Sequence, residues 1–144
     1  MTVTLKLDKE FYEFNDDAEA QIILKNISKK DIYIYSKIEW GEGSSISLWV
    51  KDFSTKENIE EIFIADEQSI PPQSKSDFTK ISSSKNIISK FKFSLRDFKV
   101  QPGKKYEIIA EYHSPVPAAM SFGLPIWSSE MGSVSSTPLV IKIN

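Results

Sequence analysis

The sequence predicts an all-β domain, a sandwich of about seven to nine antiparallel strands, and three observations predict it. The apolar residues are strand builders: 19 Ile and 6 Val stand against 7 Leu, 3 Met and 6 Ala. A side chain branched at Cβ loses rotamer freedom in a helix but packs well on a pleated surface. Apolar and polar residues also alternate with a period of two through most of the chain, which gives a strand one buried face. The alternating runs are short, and clusters of Gly, Pro, Asn, Asp and Ser separate them. A length of 144 residues suits one buried core, so residues 1–144 are read as a single domain.

The elements follow in order. Val3, Leu5 and Leu7 alternate with Thr4 and Lys6, predicting a first strand near 2–8. Ala18, Ala20, Ile22 and Leu24 define a second, which Asn26 ends ahead of Ser28-Lys29-Lys30. Ile32 and Ile34 oppose Tyr33 and Tyr35, and the pattern runs loosely through Ile38 to Trp40 before Gly41-Glu42-Gly43-Ser44 breaks it. Ile46, Leu48 and Val50 alternate with Ser47, Trp49 and Lys51 in a fourth strand. The fifth spans 59–65, with Ile62 and Ile64 opposite Phe63, and stops before Asp66-Glu67 and Pro71-Pro72. Residues 73–86, rich in Ser and Lys, are expected to form a long surface loop. An interdomain linker there would leave neither side enough strands to close a sandwich. Alternation resumes over 87–95 and 106–112, and Leu139, Ile141 and Ile143 close the chain.

Composition excludes several functions. The chain has no Cys, hence no disulfide, thiolate metal site or cysteine nucleophile. Its 18 basic residues include one arginine, Arg96, and the net charge is −2; phosphate and base recognition favour a positive balance and the guanidinium fork, so no nucleic-acid partner is expected. Apolar runs such as Ile22-Ile23-Leu24 are far too short to span a bilayer, so no membrane insertion is expected. Asp8, Glu10 and Glu13 within the first fifteen residues are foreign to a signal-peptide core. If Met1 is the native start the chain is expected in the cytoplasm; a leader removed ahead of it would place the protein outside.

The most specific local motif is Val100-Gln101-Pro102-Gly103-Lys104-Lys105-Tyr106, which runs into the strand at 106–112. Pro sets the first turn dihedral and Gly accepts positive φ. The segment resembles the tyrosine corner of Greek-key sandwiches, in which a Tyr hydroxyl bonds to upstream backbone. Pro102, Gly103 and Tyr106 would then be the structural corner, with Val100 packed beneath. Phe93-Ser94-Leu95-Arg96-Asp97-Phe98 before this turn and Ser135-Ser136-Thr137-Pro138 before the last strand look like bacterial immunoglobulin-like domains. The opening, from Phe11-Tyr12-Glu13-Phe14-Asn15-Asp16-Asp17 through Leu24-Lys25-Asn26-Ile27-Ser28, is similar to their aromatic residue, polar turn, alternating strand and Asn-x-Ser turn. Such domains include the fibronectin type III class and small intracellular proteinase inhibitors of bacilli. The resemblance implies an immunoglobulin-like Greek-key fold, and no inhibitory-loop residue carries over to this chain.

Residues with chemistry are sparse. His113 is the one histidine, which rules out a multi-histidine zinc site, and no Gly-x-Ser-x-Gly elbow accompanies the 21 serines. Acids cluster at Asp16-Asp17 with Glu19, at Glu57 with Glu60-Glu61, and at Asp66-Glu67. None shows the Asp-x-Asp-x-Asp-Gly spacing of a calcium loop, so they read as solvated turn charge. No metal and no cofactor are expected. Trp40, Trp49 and Trp127 would stack on sugar rings if exposed, or fill the core if not. Trp49 lies on the polar phase of its strand, and Trp40 is the better core candidate.

The least ordinary stretch is 114–127, with three prolines and no charge in fourteen residues. Val116, Pro117, Met120, Phe122, Leu124, Pro125 and Trp127 offer apolar anchors on a segment that proline stiffens before any partner arrives. The alternative is that the segment folds back over an open end of the sandwich or supplies another buried strand. The expected function is non-catalytic protein binding through loops at one end of the sandwich. Proteinase inhibition and carbohydrate binding through exposed Trp are the alternatives, and no enzymatic activity is expected.

Overall fold

Strand pairing in the computed structural model, which describes residues 1–38, 45–61 and 70–144, follows directly from the alternation. The strands are β1 (Thr2–Leu7), β2 (Phe11–Tyr12), β3 (Asp17–Lys25), β4 (Ile32–Tyr35), β5 (Ile46–Asp52), β6 (Asn58–Glu61), β7 (Phe78–Ile81), β8 (Asn86–Ser94), β9 (Lys105–Tyr112), β10 (Val134–Ser135) and β11 (Leu139–Ile143). The fold is all-β: the only helical pieces among the described residues are single 3₁₀ turns of three or four residues, and none is long or apolar enough to cross a membrane.

One sheet runs β1-β3-β8 and another β2-β11-β9-β5-β6, with β10 also on β9. They share a single core. Val3, Leu5, Ala18, Ala20, Ile22, Leu24 and Phe93 of the first sheet meet Ile46, Leu48, Val50, Tyr106, Ile108, Ala110, Tyr112, Ile141 and Ile143 of the second. These residues occupy one phase of each strand, and Thr4, Lys6, Lys90 and Lys92 take the opposite, solvated phase. In β3 the small Ala18 and Ala20 oppose Phe93 and Phe91 of β8, so the ring volume of one strand is matched by absence of volume on the next.

The strands are not all antiparallel. After β1, the chain crosses at Asp8–Glu10 to the other sheet, where β2 pairs with β11 in parallel, Phe11 opposite Lys142. Tyr12 is buried at this crossing. Its hydroxyl donates to Asp8 Oδ1 at 2.8 Å and accepts the Lys9 N–H at 3.1 Å, while Asp8 Oδ1 also accepts the Glu19 N–H at 2.8 Å. Burial and the adjacent carboxylate push the Tyr12 phenol well above its ordinary pKa, so it stays neutral and able to donate.

Two expectations need correction. The stretch 73–86 is not one long loop: a 3₁₀ turn at Lys75–Asp77 leads into β7, which pairs with β4 in a separate two-stranded sheet. Only Phe78 and Ile81 are large and apolar there, but they are two of the four residues of β7 and both are buried, enough for a strand whose remaining bonds are main-chain. The third strand ends at Tyr35; Trp40 and the break at 41–44 lie outside the described residues, as do Ile62, Phe63, Ile64 and Asp66-Glu67 beyond the described part of β6. Two short strands, β2 and β10, were invisible because two residues show no periodicity.

Candidate functional site

The segment after β9 folds back on β4 and β7. Val116 and Ile126 are buried in a second, smaller apolar cluster with Tyr35 and Phe78, against which Tyr33 and Leu124 pack. The rings of Tyr35 and Phe78 meet edge to face at 6.0 Å. Main-chain bonds then extend the β4 edge: the Tyr33 N–H donates to the Pro125 carbonyl at 3.0 Å, and the Trp127 N–H donates to the Tyr33 carbonyl at 2.8 Å. Proline at 125 fits this pattern because only its carbonyl is used.

Within the segment the chain braces itself. The Ser129 N–H donates to the Val116 carbonyl at 2.8 Å, and the Glu130 carboxylate accepts the Ala118 N–H at 3.0 Å at the start of the 3₁₀ turn Ala118–Met120. Hydrogen bonds from the Ser128 hydroxyl, then from the N–H groups of Glu130 itself and Ala118, hold the Glu130 carboxyl below its ordinary pKa. A tight turn follows, closed by Leu124 N–H to the Ser121 carbonyl at 3.1 Å. Its central residues, Phe122 and Gly123, have φ of 53° and 80°. Glycine takes that conformation freely; a bulky aromatic does so only under constraint.

The seven residues expected as anchors therefore divide. Val116 is 3% exposed and belongs to the small cluster, so it does not stand out as an anchor but lies in the inner wall of the cleft beside Met120; the cause of this correction is the fold-back onto β4. Pro117, Leu124 and Trp127 are half-buried and Pro125 is exposed. Met120 and Phe122 stand out at 38% and 44% exposure, joined by Met131 at 57%. Beside Met120 lies a cleft of about 100 Å³ walled by Tyr35, Pro71, Pro72, Pro115 and Pro117, with the Tyr35 hydroxyl donating to the Ile70 carbonyl at its edge.

At the expected corner, Gly103 has φ of 81° and the Tyr106 hydroxyl accepts the Gln101 N–H at 2.7 Å. Tyr106 and Val100 are both buried. His113 is half-buried at the end of β9, its N–H on the Ser45 carbonyl. Among the described residues no three His, Asp or Glu side chains converge on one point. Trp49 and Trp127 are half-buried, and each indole N–H is enclosed without a partner among the described residues.

Two residues carry this architecture through distant contacts that no local pattern announces. Asn26 is 1% exposed and uses its whole amide: Nδ2 donates to the Lys30 and Ile81 carbonyls at 2.8 and 2.9 Å, and Oδ1 accepts from the Ser28 N–H and hydroxyl at 2.9 and 2.7 Å. Glu130 was hidden because its partner is a main-chain group twelve residues away, which no local spacing encodes.

No family model matches the chain, and no curated protein matches it. Solved structures similar to this chain include the sporulation control protein Spo0M of Bacillus subtilis, at TM-score 0.47 and 12% identity over 99% of this chain and 49% of that one, and a β-glucosidase of Erythrobacter marinus, at TM-score 0.45 and 11% identity over 96% of this chain and 15% of that one. The chain thus spans about half the length of the first and less than a sixth of the second.

Proposed function

We propose that the protein is a non-catalytic protein-binding module on an immunoglobulin-like Greek-key sandwich, and that the 118–131 segment is its contact surface. The observation that carries the reading is the pairing of constraint with exposure at one tip. The Glu130 carboxylate and main-chain bonds of Ser129 and Tyr33 tie the segment down, yet its large apolar side chains Met120, Phe122 and Met131 face solvent. A strained aromatic at positive φ lowers stability unless something else selects it. A segment ordered before binding gives up little entropy on docking, and exposed Met and Phe are effective contact residues. The parallel pairing of β2 with the last strand and the Tyr106 corner support the immunoglobulin-like part of the reading.

The inhibitor alternative receives no support from the tip, where the backbone is turned rather than extended. The carbohydrate alternative would need a broad open ring face, and Trp49 and Trp127 are half-buried. The test compares wild type with a Met120→Ser, Phe122→Asn double variant as immobilised baits. Proteins captured reproducibly by wild type and lost by a variant of unchanged far-UV spectrum support the reading. Identical captured sets, or a panel of glycans that shifts tryptophan fluorescence, overturn it.

A further inference from the structure

The sandwich has an open side where β1 and β11, from different sheets, flank a groove of about 420 Å³. Leu5 and Leu7 line one wall, and Leu139, Val140 and Ile141 the other. The main chain on both walls has spare capacity. The Asp8 N–H donates to the Glu19 carbonyl, and in an antiparallel ladder the bonded pairs recur at every second residue. Lys6, Thr4 and Thr2 thus direct their amides to β3, and Val3, Leu5 and Leu7 direct theirs away from it, where β1 has no strand partner among the described residues. On β11, the Ile143 N–H donates to the Lys104 carbonyl just ahead of β9 and the Lys142 N–H to the Glu10 carbonyl ahead of β2. Val140 is in phase with Lys142 but lies beyond the reach of β2, which pairs only with Lys142 and Ile143.

We propose that this gap is a strand-addition site, taking an extended segment of a partner polypeptide with apolar side chains at alternate positions and an acidic residue facing Lys6. Two facing strand edges with unused N–H and C=O groups match one kind of ligand chemistry, another main chain in the β conformation. The leucines and Ile141 make the floor apolar, which favours an apolar residue at every second position. Charge sets the rest: Lys6, Lys9 and Glu10 line the groove, two cations against one carboxylate. At the rim, Lys9 is already held by Asp16 at 3.1 Å, whereas Lys6 makes no ion pair among the described residues. The groove shares no residue with the 118–131 segment and does not depend on it. Sheet edges left open are hazards that proteins usually block, so an open edge beside an apolar groove calls for an occupant.

The probe is a fluorescein-labelled octapeptide of alternating valine and glutamate, with a control of the same composition in two blocks. The alternating peptide is expected to bind saturably, at least about tenfold tighter than the block peptide, and to slow amide exchange at Leu5, Leu7 and Val140. Val140→Pro removes an N–H that the fold does not use, and proline is tolerated at such edge positions; it should weaken binding about tenfold or more with the far-UV spectrum kept. Lys6→Glu, an exposed change, should weaken the valine–glutamate peptide and favour a valine–lysine one, and it carries the test if the proline variant does not fold. Phe122→Asn should leave peptide binding unchanged. Equal binding of the block peptide, protection at the β8 edge instead, or no binding at about 1 mM peptide overturns the proposal. So does a concentration-dependent dimer that Val140→Pro abolishes, because the occupant would then be a second copy of this chain.

Discussion

Truncating Asn26 to alanine tests the most heavily used polar side chain in the molecule. Its amide joins three parts of the fold: the end of β3, the turn that leads into β4, and the end of β7. Its own main chain is committed as well, since the Asn26 N–H donates to the Lys85 carbonyl and its carbonyl accepts the Ser84 N–H. The substitution deletes four hydrogen bonds, each worth about 1 kcal/mol net. The Lys30 carbonyl and the Ser28 groups lie near solvent and recover water, but the Ile81 carbonyl is in the buried bond and does not. The expected loss is about 3 kcal/mol, a large part of the roughly 5–15 kcal/mol that holds a domain folded. At about 2–4 °C per kcal/mol for a domain near this size, the melting temperature should fall by about 10 °C. Urea unfolding of Asn26→Ala, Asn26→Asp and Ser28→Ala measures it. The aspartate keeps an acceptor for Ser28 but turns a carboxylate toward two carbonyls, so it should cost at least as much as alanine at neutral pH, and less once acid restores a donor. Ser28→Ala should cost about 1 kcal/mol. A loss below about 1 kcal/mol for Asn26→Ala, or an aspartate variant as stable as wild type, refutes the accounting.

Other substitutions separate satisfied from unsatisfied groups. Tyr106→Phe strands the Gln101 N–H and should cost about 1–2 kcal/mol in urea unfolding, whereas Tyr112→Phe removes a buried hydroxyl with no partner among the described residues and should leave the midpoint unchanged or raised. Glu130 has a depressed pKa in the fold, so its bracing is fully present above the unfolded value of 4.5 and fades as pH falls through the folded value; the Ala118 amide resonance should move in that acid window, and Glu130→Gln should abolish the titration. Phe122→Asn places a residue tolerant of positive φ at the tip and should raise stability by about 0.5–1 kcal/mol in thermal unfolding, against the loss of contact surface.

The fold was legible where a strand has one buried and one wet face. β1, β3, β5, β9 and β11 each announce themselves by alternation, and the corner before β9 does so by Pro102-Gly103 and an aromatic three residues on. Legibility fails where partners are distant or the element is short. β7 hides among serines and lysines because its value lies in pairing with β4, and β2 shows nothing until β11 is beside it. The 114–127 segment was readable as unusual from its lack of charge, yet the same lack of charge describes a docking tip and a buried fold-back. The structure contains both: Val116 and Ile126 are inside and Met120 and Phe122 outside, and nothing in their spacing tells them apart.

The division into two apolar clusters has a mechanical consequence for the proposed contact surface. The main core holds the two sheets together, whereas the tip is held by the small cluster of Tyr35, Phe78, Val116 and Ile126 and by main-chain bonds to Tyr33. A cluster of four buried residues buries far less apolar area than the core, so it should open first, without global unfolding. Phe78→Leu removes ring contact with Tyr35 and does not touch any exposed side chain of the tip. The expected result is faster amide exchange at Trp127 and Ser129, weaker capture of the wild-type partners, and little change at Ile22 or Ile108 in the main core. If exchange instead rises equally in both clusters, the molecule opens as one unit and the tip is not separately held.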